Sequence, residues 1–231
     1  MSGAALAQRG EKAVDEKQES GRRKIHIALV TGQYESKNAE ALQLLDMLKK
    51  QCASTAEAHM VSGKRIEMID DDLRRNPAEI IHFCGPCNES GHFIIQNRQG
   101  RVMAKKHIHQ MVQCAEALPY HVVLICFPSR MTSRQPWQQG RGKGDFLIGM
   151  KNHEILKKQV PFYSVFYPLF LKGKSLKESF DRACGTIPDG RHQPTIFFLR
   201  RMYCLQYHIV PEESDTPGKT DAENPDASLK D

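Results

Sequence analysis

Residues 120–127, YHVVLICF, are the most continuously apolar stretch of the chain. Successive side chains of a strand point to opposite faces, so an unbroken apolar strand needs cover on both. Such a run suits the centre of a parallel sheet with one helix layer above and another below. It is far shorter than the ~18 apolar residues of a membrane span, and no other run approaches that length.

The flanking pattern agrees. Residues 25–30, IHIALV, read as a buried first strand ending at Thr31-Gly32. Residues 38–52 follow as a helix, with Leu42, Leu45 and Leu48 at a three-residue step and Leu44 and Met47 widening the face. A second helix is expected over 64–75, with Ile66, Ile69 and Leu73 inward and Asn76-Pro77 stopping it. A strand over 79–83 comes next, then a hairpin arm at 93–95 with a turn at Gln99-Gly100. The stripe Ile108, Met111, Val112, Ala115 predicts a helix over 103–118. After 120–127 come a polar loop (129–144), a strand (146–150), helices over 162–172 and 175–183, and a last strand (195–199). Strands alternating with helices predict a three-layer α/β/α sandwich around a mainly parallel sheet. Chemistry in such sheets sits at the carboxyl ends of strands. Residues 84–87 and 126–129 both fall at such ends.

The two ends of the chain differ from this body. Residues 1–23 are polar and charged, and residues 211–231 are rich in Pro and acid, with seven acids against two bases. Neither can bury enough apolar surface to offset its chain entropy, so both are expected to be disordered around a single domain over 24–210. The net charge of +6 combines −5 over residues 211–231 and +2 over residues 1–24, which leaves about +9 in the body, residues 25–210. A basic body attracts acidic partners, but no nucleic-acid motif and no interleaved aromatics accompany the charge, so a solvated surface is favoured over nucleic-acid binding. The first twenty residues lack the apolar core of a secretory signal and carry acids that a mitochondrial presequence avoids; residue 2 is Ser, where myristoylation needs Gly. The seven cysteines are then expected to be reduced thiols in cytosol or nucleus, not a disulfide framework.

Cys84-Gly85-Pro86-Cys87 is the tetrapeptide of a thioredoxin site. That chemistry needs its first cysteine at a helix N-terminus, where the dipole and free amides stabilise a thiolate. The following residues, NESGHFII, have no helical period and read as a turn and a strand. Gln193-Pro194-Thr195 superficially matches the partner segment of such sites, but it lies 107 residues beyond Cys87. A dithiol oxidoreductase using Cys84 and Cys87 is kept as one alternative. The C-x-x-C spacing occurs once, so a structural zinc site lacks its second half. His107 and His109, two apart on the expected helix, are not a metal pair. No metal or cofactor is expected.

The surroundings of that tetrapeptide carry a different resemblance. Residues 76–85, NPAEIIHFCG, resemble the P-x-I-V-H-F-S-G-H-G segment of CHAT domains, the caspase-like cysteine peptidase family of clan CD. Residues 122–129, VVLICFPS, resemble its V-V-L-N-A-C-x-S strand end, and 146–150, FLIGM, its V-I-G-M strand. Residues 162–183 resemble its F-x-x-x-F-Y-x-x-L-x-x-G-x-S-x-x-x-A-F helix pair. The order and spacing hold from about residue 25 to 200. The resemblance implies a caspase-like fold. It also implies a dyad in which a histidine after the third strand acts as base and a cysteine after the fourth attacks a peptide carbonyl. A backbone amide near the histidine helps hold the oxyanion.

Carried across, the family's strand histidine is His82. The dyad histidine falls on Pro86, its glycine on Cys87, the dyad cysteine on Phe127 with Cys126 just before it, and the terminal serine on Ser129. Proline accepts no proton and phenylalanine is no nucleophile. The resemblance thus implies a catalytically inactive, caspase-like protein that binds a protein or peptide partner. The family's ties to cell-death, immune and defence systems extend to this chain only as an expectation. The alternative is an active cysteine endopeptidase using Cys126 with His82 or His92, which requires a bulge, since a one-residue slip along a strand turns a side chain to the other face. Partner binding is expected in the groove between residues 84–91 and the loop after the key strand. That loop offers Ser129, Arg130, Arg134, Arg141 and the sole tryptophan, Trp137.

Overall fold

The computed structural model describes residues 23–32, 38–62, 66–85, 87–88, 90–130, 144–150, 159–187, 194–198 and 207–209. Its central sheet has six strands: β1 (Ile25–Thr31), β2 (Ala56–Ser62), β3 (Ile80–Cys84), β6 (Val122–Arg130), β7 (Gly144–Met150) and β8 (Pro194–Phe198). They lie in the order β2-β1-β3-β6-β7-β8. The first five run parallel, and β8 closes the far edge antiparallel to β7. The apolar run at 122–127 lies in β6, between β3 and β7, as its composition requires. Two further strands, β4 (His92–Gln96) and β5 (Val102–His107), form a separate antiparallel hairpin between β3 and β6 in sequence.

Among the described residues five helices cover the sheet: α1 (Ala39–Gln51), α2 (Ile66–Arg75), α3 (Ile108–Glu116), α4 (Gln159–Leu171) and α5 (Leu176–Cys184). Strand alternation divides the interior into two cores. Ile27 and Leu29 of β1, Ile80 and Cys84 of β3, and Leu124 and Cys126 of β6 face one core, where α1, α4 and α5 bring Leu44, Phe166 and Leu176. Ala28, Val30, Ile81, Phe83, Ile125 and Phe127 face the other, against Ile69 and Leu73 of α2, Met111 and Val112 of α3, and Phe93 and Ile95 of the hairpin. Helices on both faces make the three-layer α/β/α sandwich. All these elements fall within one compact unit, Lys24–Pro211.

Local chemistry sets several boundaries. Asn38 caps α1 by accepting from the Ala41 N–H at 3.0 Å. Ser175 caps α5 by accepting from the Glu178 N–H at 3.1 Å, the S-x-x-E signature of a helix start. α4 is apolar nearly all round and sits buried on its inner faces.

Four elements depart from the sequence reading. The expected helix over 103–118 is two elements, since residues 102–107 pair with β4 and the helix starts only at Ile108, where the apolar stripe also starts. His107 is therefore a strand residue. β2 was not legible: AEAHMVS has only two fully buried positions and runs along the sheet edge, so it lacks the apolar signature of an inner strand. The inner face of α1 is centred on Ala41, Leu44 and Leu48, leaving Leu42 exposed. The expected loop over 129–144 is shorter, because β6 continues through Arg130 and β7 begins at Gly144. Both expected tails, apart from Arg23, lie outside the described residues, as do Pro86, Arg134, Trp137 and Arg141.

Candidate functional site

β3 and β6 are neighbours, with His82 directly across from Cys126 in the parallel register. Both side chains face the α1/α4/α5 core and both are fully buried. α4 lays two tyrosines over them, Tyr163 and Tyr167, one turn apart on the same helix face. The Tyr167 hydroxyl lies 2.9 Å from His82 Nδ1 and 3.6 Å from Cys126 Sγ, bridging the imidazole and the thiol. The Tyr163 ring meets the His82 ring edge-on at 4.2 Å between centroids. Sequence reasoning named His82 and Cys126 and missed both tyrosines. The signal was present in FYSVFYP: a buried Tyr carries a polar tip that needs a partner inside the core.

A thiol and an imidazole attack carbonyls when the pair is ionised. Burial opposes that here. It pushes His82 down to about 3 and Cys126 up to about 12, the latter despite the adjacent Tyr167 hydroxyl, which favours the thiolate. At neutral pH the pair is an uncharged imidazole and an uncharged thiol joined through a phenol.

The positions that the resemblance assigns to the dyad look quite different. Phe127 faces the other core, stacked on Phe83 at 4.4 Å and meeting Phe93 at 6.5 Å between centroids. Phe93 belongs to β4, and the hairpin closes tightly over the end of β1. The Gln96 N–H donates to the Gly32 carbonyl at 2.7 Å. A Cβ on Gly32 would meet the Ile94 carbonyl oxygen at 2.2 Å and the Phe93 ring at 3.1 Å. Glycine at 32 is thus what lets the Phe93 ring seat beside Phe83 and Phe127.

The thioredoxin-like tetrapeptide sends its two thiols to different cores. Cys84 ends β3 and faces the first core, Gly85 turns the chain at φ +134°, and Cys87 faces the second core through a bridge to Phe93. A strand follows, not a helix. Burial pushes the Cys84 thiol well above its usual range, aided by the Glu40 charge. The low-pKa first cysteine that redox chemistry requires is absent from this pair.

His92 is not beside Cys126. It pairs across the hairpin with His107, the rings 5.1 Å apart, and its Nδ1 lies 3.3 Å from Asn88 Oδ1. Burial and the neighbouring His92 lower His107. Ser129 and Arg130 are the last two residues of β6 and so stand at its carboxyl end. Among the described residues no group of three or more His, Cys, Asp or Glu side chains is placed to hold a metal ion, and no helix is long and apolar enough to cross a membrane. No protein-family model matches the chain, and no curated protein matches it significantly.

Proposed function

We propose that the chain is a catalytically inactive, caspase-like (CHAT-like) domain that works by binding a protein or peptide partner at the carboxyl ends of its parallel strands. The observation that carries the reading is position 127. The resemblance puts a nucleophilic cysteine there, and the side chain is a buried phenylalanine inside an aromatic stack. The nearest thiol, Cys126, faces the opposite core and is paired with an imidazole that burial keeps neutral. A protein with this sheet and without a dyad retains the strand-end surface as its working part. The segment after β6, which carries Trp137, Arg134 and Arg141 in sequence, begins at that surface. A basic stretch with one large aromatic suits a partner that presents acidic and apolar groups.

One alternative has an observation in its favour: the register pairing of His82 with Cys126 would suit a cysteine peptidase if the layer opened. The test separates them. The protein is incubated with a broad fluorogenic peptide library and an acyloxymethyl ketone probe, alongside Cys126→Ala. The proposal expects no turnover and no probe on Cys126. Cleavage that Cys126→Ala abolishes would replace it with the peptidase reading. Selection of binding peptides from a displayed random library tests the other half: Trp137→Ala is expected to weaken the selected peptides at least tenfold, and unchanged affinity removes the strand-end surface as the binding site.

A further inference from the structure

The β4–β5 hairpin sets two histidines opposite each other. His92 opens β4, His107 closes β5, and the two are register partners. Neither backbone N–H crosses between the strands: that of His92 donates to Asn88 Oδ1 at 2.8 Å and that of His107 to Gln110 Oε1 at 3.2 Å. The pair is therefore of the non-hydrogen-bonded kind, in which facing side chains stand closest. Phe93 and Ile95 point into the second core, so alternation turns His92 and Ile94, with Lys105 and His107 across from them, to the outer face. Both histidines are half-buried. The hairpin is tied to the carboxyl edge of the sheet through the Gln96–Gly32 hydrogen bond and the bridge between Cys87 and Phe93.

The two rings lie with their centroids 5.1 Å apart and their planes at 89°. That spacing has a meaning in coordination geometry. A zinc–imidazole bond of about 2.1 Å puts the ion roughly 3.2 Å from the ring centroid, so two imidazoles on one tetrahedral ion hold their centroids roughly 5.2 Å apart. The right-angle bonds of a square-planar ion would draw them to about 4.5 Å, and opposite positions would part them to about 6.4 Å. The observed separation is the tetrahedral one. Crossed ring planes also let two imidazoles approach one ion without their edges colliding.

Asn88 sets the chemistry of the His92 ring. Its side-chain atom facing His92 accepts a backbone N–H, so that atom is the amide oxygen. His92 Nδ1 lies 3.3 Å from the same oxygen. Two lone pairs repel at that distance, so Nδ1 carries the ring proton and Nε2 keeps its lone pair. A metal-binding histidine is held in this way, with one ring N–H on a carbonyl and the other nitrogen left for the ion. Asn88 is itself fixed, since its backbone N–H donates to the His92 carbonyl at 3.0 Å. Chain spacing sets His107 beside His109, whereas the hairpin pairs it with His92. Among the described residues no third His, Cys, Asp or Glu joins the pair, so the other positions on an ion are left for water or an outside ligand.

We propose that His92 and His107 form a two-histidine site for a tetrahedral divalent cation of the zinc class, clasping β4 to β5 on the outer face of the hairpin. The site stands on the opposite face of the hairpin from the Phe83–Phe93–Phe127 stack and does not depend on the peptide-binding proposal. The full chain is titrated with zinc chloride in chelator-free buffer at neutral pH, and the histidine ring signals are followed by NMR. Magnesium chloride, a cation that prefers oxygen ligands, is the control. The expected result is one saturable change that moves the His92 and His107 signals together, with no response to magnesium. His107→Phe, which keeps an aromatic ring against His92 but removes the ligand, is expected to raise the zinc midpoint at least tenfold. If His107→Phe does not fold, His107→Gln takes its place with the same criterion. No saturable change at either ring, movement of one ring alone, an equal response to magnesium, or an unchanged midpoint in the variant overturns the proposal. Zinc-dependent dimerisation that sets the midpoint overturns it too, since the ion would then bridge two copies of the chain.

Discussion

At the scale of single residues, the buried His82–Tyr167–Cys126 chain decides what chemistry is open to the protein. Among the described residues Tyr167 is the only partner of His82 Nδ1, and His82 Nε2 has none. Tyr167→Phe therefore leaves a buried imidazole without a partner and is expected to cost about 1–3 kcal/mol, read from urea denaturation at unchanged m-value. Two residues here oppose each other in pH. His82 is pushed to about 3 in the folded protein against about 6.5 when unfolded, so between these values only the unfolded chain takes up the proton. Its contribution to stability is complete above about 6.5 and is lost as the pH falls toward 3. Glu40 is pushed from 4.5 to about 8, so between these values only the folded protein holds the proton. Its contribution is complete below 4.5 and is lost as the pH rises through 8. The two slopes cancel between about 4.5 and 6.5. Glu40→Gln is expected to remove the decline between pH 6.5 and 8, on the order of a kcal/mol or two, in unfolding curves measured across pH. An unchanged alkaline slope would show that Glu40 is not held protonated.

At the scale of elements, the hairpin and the two inner strands place the aromatic plug. Gly32→Ala would set a methyl group against the Ile94 carbonyl oxygen and the Phe93 ring. The hairpin must then lift from β1, and the expected outcome is loss of the Gln96–Gly32 hydrogen bond with destabilisation of roughly 1–3 kcal/mol. Hydrogen exchange at Gln96 checks it: protection equal to wild type contradicts the tight seat. The inner elements were the legible ones. The run at 122–127 announced a strand covered on both faces, and the stripe Met111, Val112, Ala115 announced α3. β2 and β5 were hidden for one physical reason. Both have a single pairing partner in the sheet and the hairpin, they bury few residues, and pairing with a distant segment supplies what their composition does not. The candidate site was legible in part. His82 and Cys126 stood out as residue types. That they meet Tyr163 and Tyr167 depends on how α4 packs over the sheet, which no local spacing reveals.

At the scale of the whole molecule, the sandwich sends the two cysteines of the thioredoxin-like tetrapeptide to opposite cores and turns neighbouring residues 126 and 127 to opposite faces. Alternation along β6 thus separates Cys126 from the position a dyad cysteine would take, and the turn at Gly85 after the end of β3 takes Cys87 to the core opposite Cys84. The measurement that bears most directly on an inactive site is the alkylation of each cysteine in native full-length protein across pH, read by mass spectrometry. Among the described cysteines, Cys114 is the one only half-buried and should label first. Cys52, Cys84, Cys87, Cys126 and Cys184 should label slowly in the native state and quickly once urea unfolds the chain. Fast labelling of native Cys126 at neutral pH, slowed by His82→Gln, would contradict the buried neutral pair and restore a working nucleophile.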